Sequence, residues 1–567
     1  MSNWRRGSWF TTWIVMGALS ASASAQSKGA RAISAADMKP YLAFLGSKEF
    51  RGRSAPSAEL DIASKYIAVE AARIGLKPLM PGGSYFQDVP VEVTTISAAR
   101  SFLRVTGPAG ELRLTFPQAF TSNVRVPGDW SAAGGLVFVG TALDGAEPAW
   151  DEATGGDLRG KFAVLLEAPP LGAATAGAQS QSLAAARTRL LREEGAVGTI
   201  SIISRARETV LAKKGLNFDV AERLRFLDVD TVNPAPRPPA GSPAPAAQAP
   251  ALTAPFYAVE VRHEAGAAML GVSIDDLSRL FEAAAQSQPV PPRALTGKTA
   301  EIAVRFDQRT VTTPNVVAYL PGSDPVLKDE YVVIGSHHDH NPPREGRVFP
   351  GSDDNASGCV AMFAIAKAMM VERPKRSVIF VWHTAEERGL VGAYYFVQHS
   401  PVPPERISAN LNLDMITRND SNSIYLIGST KISSELDKSF HDMNAGVKLT
   451  LDYKYDDPAE PNRFFFRSDQ YPYMRYGIPG VWIFCGTTPD YHQEGDVEEK
   501  ADYAKMEKVA RLAYLVAMDV GDKPAMLKLD AHPEITARGA HNMKVVWQQP
   551  PRAASTPPSP NAASPQR

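Results

Sequence analysis

Two cysteines in 567 residues, Cys359 and Cys485, are too few for a disulfide framework, and the simplest expectation for them is two buried free thiols. A formal net charge of −1 gives the chain no general pull toward nucleic acid or an anionic membrane, so neither is expected as a partner. No apolar run reaches the roughly 20 residues that a membrane-spanning helix needs. G-x-S-x-G, a P-loop and H-E-x-x-H are also missing, which removes serine hydrolases, nucleoside-triphosphate enzymes and thermolysin-type single-zinc sites. There is no internal repeat.

What is present begins with MSNWRRGSWFTTWIVMGALSASASAQ: Arg5 and Arg6, an apolar core from about Trp9 to Leu19, then Ala23-Ser24-Ala25 as a cleavage site. Residues 1–25 therefore read as an export signal, with Gln26 opening a periplasmic or secreted chain that keeps no stable membrane anchor. The paired arginines also permit a twin-arginine reading, although their flanks fit it poorly. In 26–120, the stretch AADMKPYLAFLGSKEFRGRSAPSAELDIASKYIAVEAARIGLKPL predicts two amphipathic helices around a Gly-Arg turn. Residues 121–295 differ in character, with short strand-like runs (GGLVFVG, GKFAVLLEA, VGTISII), a polar helix (SLAAARTRLLREEGA) and a Pro/Ala tract over 233–255 that is expected to be an exposed loop. Residues 526–567 form an extension whose end, PPRAASTPPSPNAASPQR, has the composition of a disordered tail.

Within 296–525, NVVAYLPG, YVVIGSH, SVIFVWHTAEE, ANLNLDMI and GVWIFCG are apolar without alternation, as strands buried on both faces are. Helical runs such as VAMFAIAKAMM and DYAKMEKVARLAYLVAMDV separate them. This predicts an α/β fold, a mostly parallel central sheet sandwiched by helices. Functional groups of open α/β sheets collect beyond the carboxyl ends of the strands. There the sequence places His337, Asp354, Glu387, Asp414 and His492, a nitrogen and oxygen donor set suited to two zinc ions with one carboxylate shared between them. Glu386 beside Glu387 then has a use: if Glu387 is neutralised by a cation, its neighbour is free to act as a base.

The ordered motifs GSHHDH, GSDDNASG, TAEERGLVGA, LNLDMI and DYHQEGD resemble those of the cocatalytic-zinc aminopeptidase family, which also includes glutamate carboxypeptidase, glutaminyl cyclase and the transferrin receptor. The resemblance runs from the GRSAPS turn to the last helix and makes 121–295 similar to an inserted, mainly-β protease-associated domain. It implies peptide substrates, one zinc held by His337, Asp354 and Asp414, and another held by Asp354, Glu387 and His492. It further implies that Asp339 bonds the second ring nitrogen of His337, that Glu386 moves the proton, and that Tyr491 helps stabilise an oxyanion. His338, His340 and His383 are expected to be wall residues. Ser468-Asp469-Gln470 departs from the Ser-Asp-His common in the family, which puts one wall or substrate contact in doubt.

An exported aminopeptidase is the leading expectation. A carboxypeptidase or dipeptidase stays open because Arg463 and Arg467 offer a clamp for a substrate carboxylate. A one-zinc glutaminyl cyclase and a non-catalytic, receptor-like binding protein follow, both disfavoured by a complete donor set for two metals.

Overall fold

The computed structural model describes residues 27–122, 128–142, 157–167, 187–213, 222–230, 255–286, 288, 290–344, 346–530 and 537–540. The export signal, most of the Pro/Ala tract and the tail lie outside the described residues. The strands, in chain order, are β1 (Lys77–Pro78), β2 (Phe86–Ile96), β3 (Phe102–Gly107), β4 (Gly110–Thr115), β5 (Phe120–Ser122), β6 (Trp130–Phe138), β7 (Lys161–Leu166), β8 (Gly198–Ile202), β9 (Glu222–Phe226), β10 (Tyr257–Val261), β11 (Arg293–Val304), β12 (Phe306–Leu320), β13 (Tyr331–His337), β14 (Ser377–His383), β15 (Ile407–Leu413), β16 (Ser423–Ile427), β17 (Thr450–Asp452) and β18 (Gly480–Phe484).

One sheet has the order β17-β16-β18-β15-β13-β14-β12-β2-β9, with β1 against β12. Its centre, β14-β13-β15-β18, is parallel, and antiparallel pairs extend it on both sides. Every residue of β14 and β15 is buried, as their unbroken apolar character predicts. The helix Gly358–Val371, apolar nearly all round, is packed between this sheet and the helices Lys28–Ala32 and Tyr503–Asp522. No helix among the described residues is long and apolar enough to cross a membrane. Cys359 and Cys485 are both buried and free.

A second sheet, β4-β3-β11-β6-β7-β8-β10-β5, takes its strands from Phe102 to Val304, so the switch between sheets falls outside the expected limits of 121 and 295. It too is parallel at its middle, along β6-β7-β8-β10, and the helices His263–Leu270 and Ile274–Ala285 cover its core. Part of the predicted polar helix is described, with 187–193 helical. The inserted segment is also sewn to the first sheet. β9 pairs with β2, Arg225 grips Glu92 through two bonds of 3.0 and 2.9 Å, and β11 runs through Arg305 directly into β12.

The Gly-Arg turn has a role that its periodicity does not reveal. Gly52 has φ +85°, and a Cβ there would lie 2.0 Å from the carbonyl oxygen of Asn341. Arg53 is 1 % exposed and donates to the carbonyls of Leu45 (2.7 Å), His338 (3.0 Å), Pro350 (2.7 Å) and Gly351 (2.9 Å). One guanidinium therefore ties both ends of the loop that follows β13 to the end of the helix Ala35–Leu45. Arg53→Met is expected to cost about 3 kcal/mol, since it leaves several buried carbonyls without a donor. Arg53→Lys should recover only part of this, because an ammonium lacks the guanidinium fork. The check is the urea midpoint of both variants, and an unchanged midpoint for the Met form would remove the tether.

Candidate metal centre

The carboxyl ends of β13, β14 and β15 bring the predicted residues together. His337 ends β13, Glu386 and Glu387 follow β14, Asp414 follows β15, and His492 comes from the loop beyond β18. Asp354 lies in the turn before the helix Gly358–Val371. Three residues around the centre have left-handed backbone although they carry side chains: Ala385 (φ 53°), Met415 (φ 58°) and His492 (φ 57°). Such conformations cost energy and gather where a chain must aim particular groups.

His337 Nε2 is 3.3 Å from Asp354 Oδ1 and 3.3 Å from Asp414 Oδ1. His492 Nε2 is 3.1 Å from Asp354 Oδ2 and 3.1 Å from Glu387 Oε1. Asp354 thus turns one oxygen toward each group. His340, assigned to the wall from sequence, joins the second group, with Nδ1 2.8 Å from Glu387 Oε1 and 3.8 Å from Asp354 Oδ2. His338 and His383 belong to neither group and are bonded elsewhere. The ring of His338 contacts Ser64 Oγ at 2.8 Å and the His383 carbonyl at 2.7 Å, while His383 Nε2 meets the Tyr473 hydroxyl at 3.2 Å.

Hydrogen bonds fix the orientation of these groups. Ser468 Oγ donates to Asp414 Oδ2 at 2.5 Å and Cys359 Sγ to the His337 carbonyl at 3.0 Å. Asp496, a residue with no role assigned from sequence, accepts from the backbone N–H groups of Asp353 (2.9 Å) and Asp354 (3.0 Å) and so holds the turn that carries the shared carboxylate. The expected contact of His337 with Asp339 is made by the main chain and not by the carboxylate. Nδ1 faces the Asp339 main-chain carbonyl at 3.1 Å, whereas the Asp339 carboxylate is 3.7 Å away. That carboxylate instead accepts from the backbone N–H of Glu386 at 3.0 Å and so positions the adjacent glutamates. Gln470, the departure from Ser-Asp-His, is buried and donates to the Phe465 carbonyl at 3.0 Å.

Electrostatics show what the centre demands. Asp339, Asp353, Asp354, Asp414, Asp469 and Asp496 are all buried around it. Asp414 Oδ1, Glu387 Oε1 and both ring nitrogens of His340 lack a hydrogen-bond partner. Burying such groups is expensive unless positive charge is supplied, and the donor set suits divalent cations held by nitrogen and oxygen. The adjacent glutamates are driven apart. Burial, with the charges of Glu387, Asp469 and Asp414, pushes the Glu386 carboxyl well above its usual range and outweighs His337. Burial and Asp354 oppose the Glu387 charge, yet the rings of His340 and His492 bring it down to about 2. Two carboxyls shifted in opposite directions suit one to handling a proton and the other to holding a cation.

A cleft of about 280 Å³ opens onto the centre, with Met415, Phe464, Trp482 and Phe484 in its wall. Tyr491 stands at its edge, stacked on His492 with ring centroids 3.8 Å apart, and its hydroxyl accepts from Arg467 Nη2 at 3.0 Å.

Residues 315–517 match peptidase family M28. A probable leucine aminopeptidase 2 of Aspergillus oryzae is 29% identical over 228 residues, covering 39% of this chain and 41% of the relative. Leucine aminopeptidase 2 of Arthroderma otae is 28% identical over 218 residues, 37% of this chain and 39% of its own. The chain thus spans about two fifths of the length of these curated relatives. Among solved structures, an aminopeptidase from Aneurinibacillus sp. strain AM-1 is 19% identical with a TM-score of 0.47, over 88% of this chain and 97% of that one. A zinc aminopeptidase of Bacillus subtilis is 16% identical with a TM-score of 0.45, over 87% and 97%. The motifs that meet at the carboxyl ends of the parallel strands all lie within residues 315–517, the part of the chain that matches peptidase family M28.

Proposed function

We propose that the chain is an exported zinc-dependent exopeptidase, an aminopeptidase that hydrolyses the N-terminal peptide bond. The observation that carries this reading is Asp354, with one carboxylate oxygen in each of two donor groups beside an uncommitted Glu386. His337, Asp354 and Asp414 would hold one zinc, and Asp354, Glu387 and His492 the other. When bound, the pair polarises the scissile carbonyl and makes water nucleophilic near neutral pH. Glu386 takes the proton of the attacking water and returns it to the leaving amine. Asp339 holds the backbone of Glu386, and Asp496 that of Asp354. Tyr491, whose oxygen already accepts from Arg467, keeps its own proton to donate to the developing oxyanion. Met415, Phe464, Trp482 and Phe484 in the cleft suit an apolar terminal side chain.

Arg467 favours a second reading, since it lines the cleft and a carboxylate is its natural ligand, as in a carboxypeptidase or dipeptidase. One peptide with an apolar N-terminal residue separates the two, assayed free, N-acetylated and C-amidated. An aminopeptidase loses the acetylated substrate and keeps the amidated one. Loss on amidation with acetylation tolerated would overturn the first reading in favour of the second.

A further inference from the structure

We propose that His340 is a direct ligand of the cation shared by Asp354, Glu387 and His492, and that it makes this the first-filled of two unequal sites. The inference rests on the two-cation reading above and concerns how the two halves of the centre differ. His340 is fully buried, and neither ring nitrogen has a hydrogen-bond partner. An imidazole in that position has lost water on both sides and holds no aligned hydrogen bond in exchange, a cost that proteins seldom leave unmet. Its Nδ1 lies 2.8 Å from Glu387 Oε1 and 3.8 Å from Asp354 Oδ2, yet the alignment is not that of a ring N–H donating to either oxygen. Atoms that approach closely without pointing at each other are disposed around a common third point. Ligand atoms around a tetrahedral zinc, about 2.0 Å from the metal, are about 3.3 Å from one another. The separations within this group, 2.8, 3.1, 3.1 and 3.8 Å, bracket that value. The rings of His340 and His492 also stand edge to face, 74° apart with centroids 5.4 Å apart, so two imidazoles reach the same carboxylates from different sides.

The two halves then have different chemistry. His340, Asp354, Glu387 and His492 give four protein donors, a closed set of the kind that holds zinc firmly. His337, Asp354 and Asp414 give three and leave one position for an exchangeable oxygen. The four-donor half fills first and resists chelation. The three-donor half fills last, is stripped first, and governs when the centre becomes competent.

The test uses the full chain stripped of metal, with zinc titrated in competition with a chromophoric chelator, so that the readout is affinity and stoichiometry. Wild type should take up two zinc ions in two separable steps. His340→Ala should weaken the tighter step by at least about 100-fold, beyond what loss of an outer hydrogen bond usually costs. His340→Asn carries an amide donor near the position of Nδ1 but is a poor zinc ligand, and it should not restore the step. Asp414→Asn leaves His340 in place and should abolish the weaker step while the tighter one survives. Recovery of wild-type affinity in His340→Asn would reduce His340 to a donor for Glu387 and overturn the proposal, as would two unchanged steps in His340→Ala. Loss of the tighter step in Asp414→Asn overturns the order of filling. Each of these results leaves the two-cation reading intact, whereas a wild-type chain that takes up no zinc removes that reading and this inference together.

Discussion

Replacing Glu386 by glutamine is expected to lower turnover by about 10²–10⁴-fold while zinc content stays at the wild-type level. Glu386 comes no nearer to His337 Nε2 than 4.0 Å and belongs to neither donor group, so its loss should leave both groups whole. Glutamine keeps the shape and the backbone bond to Asp339 but cannot accept a proton. The effect should therefore fall on kcat with little change in KM, the pattern of an interaction used only in the transition state. Elemental analysis and steady-state kinetics on one preparation decide the matter. Near-normal turnover would end the role assigned to Glu386, and loss of zinc would make it a ligand instead.

Asp354→Asn should be more destructive, because one substitution affects both halves of the centre. Two divalent cations about 4 Å apart repel by about 16 kcal/mol at an effective dielectric of about 20, four times the value for unit charges. Asp354, with an oxygen 3.3 Å from His337 Nε2 and another 3.1 Å from His492 Nε2, would be shared by the two donor groups and would offset part of that repulsion. A neutral amide does not. Zinc content should fall to one ion per chain or fewer, and excess zinc should not restore activity. Asp414→Asn, which touches one half, should keep one zinc ion firmly bound. Two tightly held zinc ions in Asp354→Asn would show that the shared carboxylate is dispensable.

Much of the centre was legible because strand ends are legible. β13, β14 and β15 are buried on both faces, their apolar runs stop abruptly, and His337, Glu386, Glu387 and Asp414 stand where they stop. Sequence puts His340 in the wall because the strand end before it already supplies one donor, His337. Only the path of the loop, held by Arg53 and Gly52, turns a second histidine three positions later back toward the same carboxylates. The signal was nonetheless present in the spacing H-x-D-H of GSHHDH. Asp496 and Arg53 left no trace of this kind. Their partners are backbone atoms, most of them far away in sequence, and such bonds follow neither periodicity nor composition. Asp339 shows a finer limit, because sequence spacing brings a carboxylate near a ring but does not say whether its side chain or its main-chain carbonyl makes the contact.

The seam between the two sheets has a mechanical consequence. β9 adds to the edge of the first sheet from within the inserted segment, and β11 continues into β12 across a single intervening residue. The insert is braced by one backbone ladder, β9 on β2, and by the continuous run of chain from β11 into β12, the strand beside β14. A domain hung on a pliable tether can swing, but one mounted on two stiff struts tilts only if a ladder breaks. Excising 121–295 would take β9 with it and clip the first three residues of β11, leaving β2 as a bare edge open to pairing with other chains. Tailoring this part of the molecule therefore calls for point changes on its outer faces, with both struts left standing.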